Sequence, residues 1–571
     1  MLKSLATFAA NVLWFVSCLP GWIRFQFALR HPQRAQEKVL RRLLRQNRGT
    51  AFGLRHGFAD IRTPEDFAAC VPLAEYDDFA ADIAAARRNA PFPLAAETPL
   101  LLEPTSGSSG KPKLIPLTPS LQCEFSAAIQ PWIAWLYLAH PRLFFGRQYW
   151  AVSPNTLPPH RNNVSPDSIP IGFSDDADYL GAIGGFVSRK CLATPPELRL
   201  VADPDTFRLL TLFFLLRDAN LRLISVWHPS FLTLLLDAIP RQWPALLRML
   251  RTGDLPASGL EPDLHHRLVS RASPDPRRAG ELESLDLPAH PEHIARTWPR
   301  LEVISCWTGD RSEPWLARLR ALFPRATLQG KGLLATEGVV SLPTGGDHLR
   351  PCAIRSHYFE FIDPETGTAL PAWRLQSGRE YAIVLSTGGG LWRYRLHDRV
   401  RVAGFCRATP CLEFLGKDNL VSDLVGEKLN ERHVAEALSV AQSTTRIRPA
   451  FAMLVPDARG PNAAPGYALL LEMPAPVPSE MEIRRFAETV ETELLRNYHY
   501  DHARNLGQLG SLRPVRIRAG TPSYLAFREH RGNRIGTVKI PALDMNFSLP
   551  DAGPDCSEAD TPIQGNPPSE S

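Results

Sequence analysis

The sequence predicts an α/β protein of at least two domains. At 571 residues the chain is too long for one hydrophobic core. Between Trp298 and Gln329, strand, turn, amphipathic helix and strand follow one another, the alternation that builds an α/β core. Further on, two strand-like runs, Ala450 to Val455 and Tyr467 to Met473, precede a helix marked by Ile483, Phe486, Val490 and Leu494. Hydrophobic content of 44% and charged content of 22% are those of a soluble globular protein.

Composition excludes some classes of function. The formal charge of +5 is small for this length, and no basic run with interleaved aromatics occurs, so nucleic-acid binding is not expected. The nine cysteines are scattered without a CxxC pair. That argues against a zinc site of this kind and for a reducing compartment, so a cytoplasmic location is expected.

Leu5 to Leu19 is mostly apolar, Asn11 interrupts it and Pro20 is expected to end it. The run is shorter than the ~20 apolar residues a spanning helix needs. An apolar helix packed on the body is the leading reading, and a weak peripheral membrane contact is the alternative. Arg34 to Asn47 reads as a helix with Val39, Leu40, Leu43 and Leu44 on one face.

Leu101 to Thr118, LLEPTSGSSGKPKLIPLT, is the most informative stretch. Two short strands flank a loop of Thr105, Ser106, Gly107, Ser108, Ser109 and Gly110, followed by Lys111 and Lys113. Glycines let backbone N–H groups converge on an anion, and hydroxyls and lysines add donors and charge, so the loop suits a polyphosphate. It is no Walker A loop, because Thr105 stands where that loop needs glycine. A nucleophile elbow is excluded by the spacing of Gly107 and Gly110. A flexible Ser/Gly linker is the alternative.

Ser120 to Leu138 is predicted helical with an aromatic stripe including Trp132 and Trp135, more often core than pocket. Trp132, Trp135, Phe231 and His228 are candidate wall residues, although core is the plainer reading of each; His228 sits at a strand end, where α/β proteins build sites, but an interior hydrogen-bonded histidine is the commoner case. Pro256 to Pro291 reads as an excursion with short helices. After the strand Ala326 to Gln329 comes Gly330-Lys331-Gly332, then Thr336-Glu337. A carboxylate there can hold Mg²⁺ near a triphosphate, although a surface Glu is the plainer alternative. Glu380 to Ser386 is a strand that runs into Thr387 to Asp398. A buried Asp398 can accept ribose hydroxyls; the alternative is surface pairing with Arg395 or Arg399. Gly388 to Gly390 reads as a turn.

The spacing Thr-Ser-Gly-Ser-Ser-Gly-x-Pro-Lys is that of the phosphate loop of adenylate-forming ligases. With Leu391-Trp392-Arg393-Tyr394-Arg395-Leu396-His397-Asp398, Gly416-Lys417-Asp418-Asn419, Glu427-Lys428-Leu429-Asn430-Glu431 and Gly536-Thr537-Val538-Lys539-Ile540-Pro541, the chain from about Glu37 to Pro541 closely resembles the auxin-responsive Gretchen Hagen family of acyl acid amido synthetases. The resemblance implies a large N-terminal adenylate-forming α/β domain plus a small mobile α+β C-terminal domain. It places an N-terminal helix at 1–36, the large domain at 37–415, a hinge at 416–419, the small domain at 420–548 and a disordered tail at 549–571. The activity it implies is an ATP- and Mg²⁺-dependent ligase joining a carboxylic acid to an amine, here an amino acid, with the protein a monomer.

Carried over, Thr105, Ser106, Gly107, Ser108, Ser109, Gly110 and Lys113 would wrap the ATP phosphates. Gly332, Thr336, Asp398 and Lys417 would complete the nucleotide site. Thr336 would touch the α-phosphate, Glu337 would help hold Mg²⁺, and Lys539 would enter during adenylation as a catalytic cation.

Three departures stand out. Leu333 replaces an aromatic that flanks adenine in the family, so nucleotide binding is expected to differ. His397 replaces a glycine, so that turn is expected to change shape. Lys428-Leu429 replaces Lys-Thr. A thioester-forming ligase and a catalytically silent scaffold are the competing readings.

Overall fold

The computed structural model describes residues 2–86, 92–105, 113–151, 169–170, 190–308, 312–344, 349–417, 421–457, 464–473, 475–530 and 541–547. Ser106 to Gly110, Lys111, Asp418, Asn419, Lys539 and the tail from 549 lie outside them.

Two helices open the chain, α1 (Leu2–Ala28) and α2 (Pro32–Asn47). Pro20 does not end α1, contrary to expectation; it lies inside it. A proline removes one helical hydrogen bond, here that to the Val16 carbonyl. Pro20 and Val16 are both exposed, so water can satisfy the orphaned carbonyl, while Gly21, Phe25 and Ala28 keep the helix on the body. On α2, Val39, Leu40, Leu43 and Leu44 are buried together, as their spacing requires.

The antiparallel pair β1 (Leu101–Thr105) and β2 (Lys113–Leu117) leads into α3 (Pro119–Ala139). Thr118 caps α3 by accepting from Leu121 N, and its hydroxyl donates to the Gly388 carbonyl at 2.8 Å. A parallel sheet follows in the order β3 (Arg147–Trp150), β4 (Leu221–Ser225), β5 (Val303–Cys306) and β6 (Thr327–Gly330). One face packs on α1 and α3 through Leu223, Val303, Trp14 and Trp132. The other packs on α4 (Pro204–Arg217), α5 (Pro229–Thr252) and α6 (Glu313–Leu322) through Ile224, Ile304, Phe213, Leu235 and Leu319.

An antiparallel sheet of five strands comes next: β7 (Tyr358–Ile362), β8 (Ala369–Pro371), β9 (Glu380–Ser386), β10 (Tyr394–Cys406) and β11 (Thr409–Lys417), in the order β8-β7-β9-β10-β11. β11 runs through Gly416 to Lys417, which pairs with Asp398, so the first two residues of the expected hinge are strand. Beyond it, α7 (Glu431–Thr445), β12 (Phe451–Asp457), β13 (Gly466–Glu472) and α8 (Glu480–Leu494) share a separate core that includes Leu429, Val434, Leu469, Phe486 and Tyr500, and β14 (Arg513–Arg516) pairs parallel to β13.

Candidate functional site

β1 and β2 pair with Thr105 opposite Lys113, so they hold together the two ends of the glycine- and serine-rich loop. Lys113 Nζ donates to the Tyr394 hydroxyl at 3.1 Å and lies 5.5 Å from the Tyr76 ring centre and 5.6 Å from that of Tyr394. The Tyr394 hydroxyl donates to Glu337 Oε1 at 3.4 Å. Burial, then the nearby Glu337 carboxylate, hold the Tyr394 phenol well above its usual pKa, so it stays a donor. Tyr76 is fixed by Leu114 N, which donates to its hydroxyl at 2.7 Å. The structure thus brings Lys113 and Glu337 onto one tyrosine.

Thr336 and Glu337 form the two-residue tip of a small hairpin, Leu334–Ala335 against Gly338–Val339. Gly332 has a packing reason: a Cβ there would lie 1.9 Å from the Ser341 carbonyl oxygen. Only glycine permits that approach, which lets Leu333 N donate to Ser341 Oγ at 2.9 Å. Leu333 itself is buried in the main core. Behind the hairpin, Val339 N donates to His357 Nε2 at 3.0 Å, and His357 Nδ1 lies 2.9 Å from Glu124 Oε2. Buried Glu124 also accepts from Arg42 at 2.8 Å and from Gly388 N at 3.0 Å. This network fixes the hairpin tip against α2, α3 and the glycine turn. Glu337 is a buried carboxylate set close to a lysine ammonium, and a hard oxygen donor of this kind suits Mg²⁺ at a polyphosphate.

Asp398 is buried at 4% exposure and not on the surface. Arg395 reaches Glu75 at 3.4 Å and Arg399 reaches Glu380 at 2.7 Å. His397 holds the residue before Asp398 in the left-handed backbone region, which glycine enters freely. His397 adopts φ 63° inside a bulge, where Leu396 to Asp398 of β10 face Ile383 of β9. Histidine is among the non-glycine residues that tolerate this region best. Glu75 anchors it, with His397 Nε2 at 2.6 Å from Glu75 Oε2.

A second cluster sits at the C-terminal end of the parallel sheet, where such sheets place their sites. Buried Lys331 donates to Ser225 Oγ at 2.7 Å, and its ammonium lies 4.9, 5.5 and 5.2 Å from the ring centres of Trp132, Trp150 and Trp227. Register pairs Trp150 with Ser225, Ser225 with Ser305, and Ser305 with Gln329, forming one row across the sheet. Trp132 Nε1 donates to Gln329 Oε1 at 3.2 Å. Among the described residues, the Gln329 side-chain nitrogen and the Ser305 hydroxyl are buried without a hydrogen-bond partner, and Trp227 is half exposed. Trp132 is buried in the core between α1, α3 and the sheet, with its ring against the Lys331 ammonium.

His228 instead caps α5: Ser230 N donates to its Nδ1 at 3.2 Å. Burial pushes its pKa down to about 4, so it is neutral near pH 7. Tyr76, Tyr394, Lys331, Glu124 and His357 escape a sequence reading, because each owes its place to partners that are distant in the chain. The nearest signal was Tyr394, inside the most specific motif block.

The chain matches the GH3 family N-terminal domain over residues 23–328, the central domain over 351–417 and the C-terminal domain over 432–546. It is 24% identical over 550 residues to a probable indole-3-acetic acid-amido synthetase, GH3.2, of Oryza sativa subsp. japonica, covering 89% of this chain and 87% of that protein. Over 426 residues it is 22% identical to the jasmonoyl–L-amino acid synthetase JAR6 of Nicotiana attenuata, covering 71% of this chain and 73% of that one. Its fold is similar to that of the acyl acid amido synthetase AtGH3.15 solved with 2,4-DB, with TM-score 0.63, 20% identity, and coverage of 93% and 94%.

Proposed function

This chain belongs to the GH3 family, and from that premise we propose the chemistry its residues perform. It is an acyl acid amido synthetase, a ligase that adenylates a carboxylic acid and passes the acyl group to an amine. In the first step a carboxylate oxygen attacks the α-phosphorus of ATP, and pyrophosphate leaves. In the second, the amine nitrogen attacks the acyl carbon of the acyl-AMP, AMP leaves, and the amine gives up a proton. The amine is an amino acid, as the names of the relatives suggest.

The observation that carries the nucleotide assignment is the meeting of Lys113 and Glu337 on Tyr394. Attack at phosphorus gathers negative charge, so positioned cations and donors do most of the catalytic work. Lys113 offsets charge at the phosphates together with Ser106 to Gly110, and Thr105 anchors that loop's start. Thr336 contacts the α-phosphate. Glu337 holds Mg²⁺, which when bound draws charge from the phosphate oxygens. Asp398 accepts the ribose hydroxyls, with Lys417 beside it in register. Lys539 enters for adenylation and leaves for amide formation when the part of the chain after Lys417 turns.

The acid lies among Trp132, Trp150 and Trp227, with Lys331 and Gln329 facing a polar substituent on it. Incubation with ATP, a panel of aryl, indole and fatty acids, and the common amino acids tests this by mass spectrometry. Amide appearing with equal AMP is the expected result. Thioester from coenzyme A, with no amide from any amine, would replace this function with the thioester-forming one.

A further inference from the structure

We propose that the outer face of α1, with the basic groove beside α2, docks the protein onto an anionic phospholipid bilayer without crossing it. Leu5, Ala9, Leu13, Val16, Pro20, Ile23 and Phe27 are all exposed. Their spacing of three and four places them along one side of the helix. No charge interrupts this ridge from Leu5 to Ile23. Leu5 is 66% exposed, Val16 53% and Phe27 63%. A contiguous apolar strip of this length on water marks an interaction surface.

By length and composition α1 could span a membrane. Its inner face argues otherwise. Asn11 Nδ2 donates to the carbonyls of Leu143, Phe144 and Gly146 at 3.2, 3.0 and 2.9 Å, and its Oδ1 accepts from the Tyr137 hydroxyl at 2.7 Å. Trp14, Cys18 and Phe25 are buried. Pulling α1 into a bilayer would strand these polar groups and open the core beneath, so only the outer ridge can meet lipid.

Charge identifies the surface it meets. Where the ridge ends, Arg24 and Arg30 are exposed, and α2 runs on with Arg34, Lys38, Arg41, Arg45 and Arg48 exposed around a groove of ≈ 1040 Å³. Glu37 is the one acid lining it. Arg355 joins the two regions: after burial, the charges of Arg24 and Arg42 are what lower its pKa. The whole chain carries only +5, so this concentration is local. An apolar helical ridge with a basic flank suits headgroups of negative charge over an acyl layer.

Co-sedimentation of the full chain with vesicles of phosphatidylcholine, with and without phosphatidylserine, is the test. The protein is expected to pellet with the mixed vesicles and to come off in high salt. Val16→Glu, and separately Lys38→Glu with Arg45→Glu, are expected to cut binding about tenfold or more while leaving circular dichroism and ATP–pyrophosphate exchange unchanged. Four results would overturn the proposal: no binding to either vesicle, binding that these variants leave intact, protein that resists alkaline carbonate as a spanning helix does, or a dimer in light scattering that Val16→Glu abolishes, which would put a second copy on the ridge.

Discussion

Lys113 and Glu337 reach the hydroxyl of Tyr394 from strand and hairpin, so the tyrosine sets the spacing between a cation and a carboxylate. Tyr394→Phe removes hydrogen bonds to charged groups, worth about 1.5–3 kcal/mol. The expected outcome is an ATP KM raised about ten- to hundredfold, together with a lower melting temperature, because the buried Glu337 carboxylate loses a donor. At position 397, glycine suits φ 63° and a β-branched residue does not. His397→Gly is expected to keep ATP affinity, and His397→Val to weaken it and lower the melting temperature, because the bulge that aims Asp398 would no longer form. His228 supplies a pH dependence. Burial lowers its folded pKa from 6.5 to about 4, so the unfolded chain takes up the proton first. Stability therefore falls as pH drops from 6.5 to about 4, by on the order of 3 kcal/mol for this group. His228→Asn keeps the cap and should flatten that part of a denaturation series measured against pH.

The hairpin that carries Thr336 and Glu337 depends on a backbone contact that no side chain could share. Gly332→Ala would force apart Gly332 and Ser341, and overpacking of this kind costs about 1–3 kcal/mol. Lower stability in urea and loss of adenylation together are expected. Elements were legible where periodicity is strong. The α2 face of Val39, Leu40, Leu43 and Leu44 and the strands around the serine-glycine loop are examples. Pro20 misled because local rules treat proline as a stop, whereas tertiary packing of Gly21, Phe25 and Ala28 carries the helix past it. The strand through Lys417 was illegible for a similar reason: pairing with Asp398 outweighs a turn-like Gly-Lys-Asp-Asn sequence.

Across the whole molecule, three large cores organise the described residues: one around the five-stranded sheet, one between the parallel sheet and its helices, and one in the segment after Val421. The family was legible in a few motif blocks, because the chemistry restricts those residues. The lysine–indole cluster was not, because Lys331 and its indoles converge from α3, β3, the end of β4 and the end of β6. Lys331→Met is expected to change the order of preference among acids, with the KM for ATP held within about threefold of wild type, since uniform binding of one substrate is what it removes.

The central claim is that this chain activates a carboxylate as its adenylate, and acid-dependent ATP–pyrophosphate exchange tests it most directly. With a panel of aryl, indole and fatty acids, label from pyrophosphate should enter ATP only when a suitable acid is present, and Glu337→Gln and Lys539→Ala should abolish it. No exchange with any acid, together with no thermal stabilisation by magnesium and ATP, would contradict the claim and leave a scaffold with an adenylating fold.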